Sequence, residues 1–326
     1  MPVSGTAMGG DATMRSSDAV ADLGDKFRGV LVGLATGDAL GAPLEFMSAT
    51  EISRQHGTVR DMLGGGWLRI KPGECTDDTE MAVCIAESLA ELGQFNPEDI
   101  AQRFVAWADC DPKDIGVLTR AAVHYLREGV PVFEAARRAW DDSGQTSAGN
   151  GSVMRCAPVA LFDCFDAKAL VADSIASSRI THWDERCCDG CALVNHLISR
   201  LLKDETDELL ADAQQFLSGR SPHLREAIEK LPTLTKSDLR PTGYVVDTIQ
   251  VALWCLTHSD SFEDALVTCV NLGGDADTTG AVCGALAGAQ FGMDAIPARW
   301  LDALRGKQRL IGLASALYRL AHRHGG

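Results

Sequence analysis

An all-α fold in one compact domain follows from three observations on this 326-residue chain. Apolar residues recur at helical spacing almost everywhere from Asp25 onward. No run alternates apolar and polar residues as a half-buried strand does. No Pro/Ser-rich linker or repeat of solenoid length divides the chain.

The elements follow in order. Residues 1–24 are rich in Gly, Ser, Ala and Asp and are expected to be a disordered leader, with the folded domain spanning 25–326. A first helix ends in the Gly-rich turn of Gly33–Glu45. Met81, Ile85, Leu89 and Leu92 mark the next amphipathic helix. Val117–Arg127 and Pro131–Trp140 read as helices, the second with Pro in its first turn. Further helices are predicted at Ala167–Ile180, Glu185–Leu202, Glu208–Leu217, Phe262–Val270 and Gln308–His322. Val245, Ile249, Leu253 and Leu256 mark another, and small residues from Ala281 to Gln290 one more. Loops are expected at Gly57–Gly73, Asp141–Gly151 and Gly219–Thr242. So many short helices exclude an up-down bundle of four long ones.

Composition narrows the function classes. A formal net charge of -15 argues against nucleic acid or an anionic membrane surface as the main partner. Eleven cysteines lack a disulfide-like rhythm, and Cys84, Cys255 and Cys283 fall in apolar helical stretches, which suits reduced thiols and a cytoplasmic location. No apolar run reaches membrane-spanning length.

Two acidic clusters share one make-up. Thr76-Asp77-Asp78-Thr79-Glu80 opens the Met81 helix, and Gly273-Gly274-Asp275-Ala276-Asp277-Thr278-Thr279-Gly280 opens the small-residue helix. Helix capping explains one Asp or Thr at each start. It does not explain duplicated acids flanked by Thr. If the clusters meet, four carboxylates repel one another until countercharge arrives. Hard oxygen donors then suit two divalent cations, Mg2+ or Mn2+.

Other segments are ambiguous on their own. Asp38 reads as a buried turn-holder, and Glu45 is open to either a structural or a functional reading. Gly149-Asn150-Gly151-Ser152 offers donors at a probable helix start, fit for a phosphate or ribose, but an ordinary loop explains it as well. Asp114-Ile115-Gly116 reads as an N-cap and His182 as a surface or capping residue. Cys187, Cys188 and Cys191 lack the second pair that structural zinc needs.

Taken together, these stretches resemble the ADP-ribosylglycohydrolase family. Gly33–Glu45, Thr76–Glu80, Asp114–Gly116, Gly149–Pro158, Ile180–His182 and Asn271–Gly280 match in family order, and Ala295–Trp300 also looks alike. The resemblance implies an orthogonal multi-helix bundle with a dinuclear Mg2+ or Mn2+ centre. It makes Thr76, Asp77, Asp78, Asp275, Asp277 and Thr278 the metal ligands. Asp114 and Glu45 become the candidate catalytic acids near the metals, and Ser147, Asn150, Gly151, Ser152 and His182 line an ADP-ribose groove. The chain departs from the family pattern at Cys75, where a thiol beside metals invites oxidation, and in its leader.

The implied reaction is hydrolysis at the anomeric carbon of the terminal ribose, with arginine the favoured acceptor and the loops Gly57–Gly73 and Gly219–Thr242 setting selectivity. The expected partner is an ADP-ribosylated protein or small-molecule conjugate, with nucleic acid entering only as a modified acceptor. A monomer is expected. Two alternatives remain: a non-catalytic binder of ADP-ribose or of a partner, and a divalent-metal phosphohydrolase.

Overall fold

The computed structural model describes residues 12–205 and 208–324. Sixteen α-helices and a few 3-10 turns account for the architecture, with no strand among the described residues. In order these are α1 (Ala12–Gly41), α2 (Ala49–His56), α3 (Asp77–Leu92), α4 (Pro97–Asp109), α5 (Val117–Arg127), α6 (Val132–Asp142), α7 (Ala157–Asp163) and α8 (Ala167–Ser178). There follow α9 (Glu185–Leu202), α10 (Leu209–Phe216), α11 (Pro222–Lys230), α12 (Val245–Thr257), α13 (Phe262–Val270), α14 (Ala276–Phe291), α15 (Ala298–Ala303) and α16 (Lys307–His324). No helix is long and apolar enough to cross a membrane, among the described residues.

Two expectations need correction. The structure describes α1 from Ala12; residues 1–11 of the expected leader lie outside the described ones. The same helix runs on through Gly33 and Gly37 to Gly41, where a turn was expected. The presumed loop Gly219–Thr242 contains α11, begun by Pro222 in its first turn and buried through Leu224, Ala227 and Ile228.

The core is organised around α14. Every residue from Ala276 to Ala289 in it is buried, and α1, α9, α12 and α13 surround it. Its side chains are small for a reason visible in α1. The two helices run antiparallel with their backbones in contact, glycine against glycine. A Cβ on Gly33 would overlap the Gly284 carbonyl, one on Gly37 the Gly280 carbonyl, and one on Gly41 the Ala276 carbonyl. No side chain could shift to relieve such an overlap, since backbone meets backbone. This seam sets the C-terminal turn of α1 against the N-terminal turn of α14, and so fixes where the acids of both must lie.

Candidate active site

The first turn of α3 is held from α1 by a single carboxylate. Asp38 is wholly buried. It accepts from the backbone N–H of Thr76 at 3.0 Å and of Thr79 at 3.2 Å, and from their hydroxyls at 2.9 and 2.5 Å. This is a helix cap delivered by another helix, where Thr76 itself makes no side-chain cap. Burial pushes the Asp38 carboxyl up to about 6 even though four donors pull it down. The buried, turn-holding role read from sequence stands, with the difference that Asp38 sits inside α1 and holds the first turn of α3, anchoring Asp77 and Asp78.

The second acidic turn is pinned by tight backbone pairing. Gly273 and Gly274 both have positive φ, and a Cβ on either would overlap a carbonyl, of Met47 or Pro241. In return Gly274 N–H donates to Met47 O and Phe46 N–H to Gly274 O, each at 2.7 Å. Asp275 N–H donates to Pro241 O at 3.0 Å. The segment after α1 is thus stitched to the start of α14, which carries Glu45 to the acids. Ligand oxygens of Glu45, Asp275 and Asp277 lie within 4.8 Å of one another.

These side chains wall a cavity of about 410 Å3 together with Asp77, Asp78, Asp114, Thr278, Ser147, Gly149, Asn150, Gly151 and His182. Most of the residues singled out in the sequence therefore share one pocket. Two do not reach its wall. The Thr76 hydroxyl is turned to Asp38 and lies 3.2 Å from Asp78. Ser152 faces the core, bonded by Ser178 at 3.0 Å and Cys191 at 3.4 Å. The expected helix start behind Asn150 is also absent: a 3-10 turn at Val153–Arg155 leads into the short α7.

The electrostatics follow from burial and crowding. Burial first, then the negative charges of Asp114, Asp38 and Glu45, pushes Asp77 well above the usual carboxylate range. Burial with Asp38, Asp77 and Asp275 does the same to Asp78, and burial with Asp78, Asp275 and Glu45 to Asp277. Glu45 is raised to about 7 by burial, against the pull of the Trp67 indole, which donates to its Oε2 at 2.5 Å. Asp114 is raised by burial, tempered by the Ile115 N–H that it accepts at 2.7 Å. Asn150 spends its amide on the acids, donating to Asp275 at 2.8 Å and to Thr248 at 2.9 Å. Asp78 Oδ1 is buried with no hydrogen-bond partner.

Sequence reasoning missed several contributors. Trp67 is the largest: it tops a tight turn closed by Gly65 and Ile70, whose backbone groups exchange bonds at 2.8 and 2.9 Å. Phe46, at positive φ, places its ring 5.4 Å from the Trp67 ring, and the two are 69% and 49% exposed at the pocket mouth. A Trp following three glycines was the available signal. Cys75 stands beside this site. Burial and the Asp38 charge raise its thiol well above the ordinary value, and it donates to Ala35 O at 3.6 Å, which opposes the thiolate form.

Comparison with known proteins agrees with this geometry. The ADP-ribosylglycohydrolase family model matches residues 19–326. The ADP-ribosyl-[dinitrogen reductase] glycohydrolase of Rhodospirillum rubrum is 38% identical, over 86% of this chain and 90% of that protein. The ADP-ribosylarginine hydrolase Tri1 of Serratia proteamaculans is 33% identical, over 91% of this chain and 80% of its own length. A solved structure described as an ADP-ribosylglycohydrolase-related protein complex superposes with a TM-score of 0.80 at 35% identity, covering 92% of this chain and 99% of that one. With paired acidic helix starts meeting in one pocket and these likenesses along nearly its whole length, the chain belongs to the ADP-ribosylglycohydrolase family of enzymes.

Proposed function

We propose that the chain releases ADP-ribose from a modified acceptor by hydrolysing the bond at the anomeric carbon of the terminal ribose, with two divalent cations and with arginine as acceptor. The observation carrying this reading is the convergence of Glu45, Asp275 and Asp277 within 4.8 Å in a pocket also walled by Asp77, Asp78 and Asp114.

The donor set fits a hard cation. An unpartnered carboxylate oxygen at the depth of Asp78 Oδ1 costs roughly 1–3 kcal/mol, and cation contact would remove that cost. Asp77, Asp78, Asp275, Asp277 and Thr278 are the proposed ligands, with Glu45 close enough to join them. Thr76 serves through its bonds to Asp38 and Asp78. Bound there, Mg2+ or Mn2+ supplies charge neutralisation, a hold on the ribose diol and an acidified water.

The protein's own groups do the rest. Trp67 occupies one oxygen of Glu45 and orients the carboxylate, leaving the other to take a proton from water as a general base. Asp114 stands on the same wall as the second candidate base. His182, Ser147 and the backbone of Gly149 and Gly151 provide the surface for ADP-ribose. With a net charge of -15 the overall field repels an anionic substrate, so these local donors and the cations must supply the binding. The exposed Phe46–Trp67 pair suits a planar guanidinium, which stacks on aromatic faces, beside an acidic rim. The relatives named above are named for arginine and dinitrogen reductase, which supports an ADP-ribosylated protein as partner.

The test is an ADP-ribosyl-arginine peptide incubated with Mg2+ or Mn2+, with an EDTA control and products identified by mass spectrometry. Free ADP-ribose and unmodified arginine, abolished by EDTA, are expected. Release of AMP or phosphate would make the protein a phosphohydrolase instead. Binding without turnover in any metal would make it a binding protein.

A further inference from the structure

Behind the histidine of the pocket lies a buried arginine. Arg155 is wholly buried, with its guanidinium 4.5 Å from the Phe104 ring centre. One terminal nitrogen donates to Gly151 O at 2.7 Å and the other to the Thr181 hydroxyl at 2.6 Å. Burial lowers its pKa only to about 10, so it stays charged near neutral pH. The Thr181 oxygen, itself wholly buried, also lies 2.7 Å from His182 Nδ1.

The proton arrangement follows from donor and acceptor capacity. A guanidinium can only donate, so Thr181 must accept from Arg155. The hydroxyl proton of Thr181 then needs an acceptor, and His182 Nδ1 is the one at hand. Were Nδ1 protonated, Thr181 would receive two donors while its own buried proton went unpaired. Burial, followed by the Arg155 charge, depresses His182 to about 3, so the ring is neutral. A neutral ring with a bare Nδ1 carries its proton on Nε2. That edge faces the pocket glycines: a Cβ on Gly151 would lie 3.1 Å from Nε2 and one on Gly149 3.6 Å.

We propose that Arg155, acting through Thr181, is a positioning residue that fixes His182 as the Nε2–H tautomer, so that the ring presents an obligate hydrogen-bond donor to an anionic oxygen of the ligand. Naming that oxygen as one of the ADP-ribose diphosphate rests on the function proposed above; the tautomer does not.

The experiment is long-range 1H–15N correlation NMR of the His182 ring in the full-length, ligand-free protein, paired with calorimetric titration of ADP-ribose in Mg2+. Wild type and Thr181→Ser are expected to show Nε2 protonated, Nδ1 bare, and matching affinities. Thr181→Val removes the relay at constant volume, so the fixed tautomer should be lost and ADP-ribose binding should weaken about tenfold. A wild-type ring protonated on Nδ1 would overturn the proposal, as would Thr181→Val with unchanged affinity. If the valine variant does not fold, the wild-type spectrum and its retention in Thr181→Ser still decide the matter. Failure of wild type to bind ADP-ribose would overturn the named ligand together with the functional reading, and the ligand-free spectrum separates that failure from a failure of the relay.

Discussion

Asp38 accepts four hydrogen bonds from Thr76 and Thr79 at the start of α3, and so anchors Asp77 and Asp78. Replacing it by Asn turns a convergent acceptor into a group with donors aimed at donors, so Asp38→Asn should cost about 1–3 kcal/mol in urea unfolding and lower turnover by displacing Asp77 and Asp78. Asp277 is expected to behave in the opposite way. Burial and four neighbouring acids already oppose its charge, so Asp277→Asn should abolish turnover while leaving the metal-free protein folded and at least as stable. Loss of helicity by circular dichroism would assign it a structural role. Asp163, remote from the pocket, tests the same physics without metals. Burial and Asp173 raise it to about 8, so the unfolded state ionises first and stability is lost as pH rises from about 4 toward 8. Asp163→Asn should therefore gain on the order of 1 kcal/mol at pH 8.5 and little at pH 4. At this scale the sequence showed which residue types mattered and not where each hydroxyl points. Thr76 and Ser152 look like ligand donors in one dimension, whereas in the structure their hydroxyls meet Asp38, 38 positions away, and Ser178, 26 away.

The helices themselves were largely readable, because apolar periodicity survives in any environment. Val117–Arg127, Glu185–Leu202 and Phe262–Val270 stand as expected from that periodicity. The glycine-spaced helix α1 was misjudged at its end. Glycine signals a turn when its neighbours are solvated, and a close helix contact when another backbone covers it; only the partner helix distinguishes the two. The seam yields a paired prediction. Gly37→Ala must push α1 from α14, and should cost several kcal/mol with loss of activity, well beyond a typical substitution. Gly312→Ala on α16, where a Cβ meets nothing within 4 Å, should instead stabilise by about 0.5–1 kcal/mol. Thermal denaturation of the two variants checks both signs. A comparable loss in each would mean that helical glycine alone, and not the seam, sets the cost.

Over the whole molecule, charge was the most legible property and its arrangement the least. The figure of -15 is in the composition, but that Glu45, Asp275 and Asp277 gather in one pocket depends on a turn at Gly273–Gly274 stitched to Met47. In EDTA, the raised carboxyls of Glu45, at about 7, and Asp38, at about 6, favour the folded state when protonated, so the melting temperature should fall as pH climbs from about 5 to 7.5. Saturating Mn2+ or Mg2+ should flatten that slope by stabilising the ionised pocket, as differential scanning fluorimetry would show. A metal-independent slope would remove the cations from the pocket. The α1–α14 seam has a further meaning in time. Contacts here span long stretches of chain, as with Val59 and Asn271, 212 positions apart, so their closure carries a high entropic cost and comes late. On the ribosome, α14 trails α1 by tens of seconds at roughly 5–20 residues per second. During that delay the nascent chain already carries Glu45, Asp77 and Asp78 but has no helix to lay against the bare backbone face of α1. Assembly of the acid pocket therefore waits for α14, and an interrupted chain holds half of an acid pocket that it has no means to close.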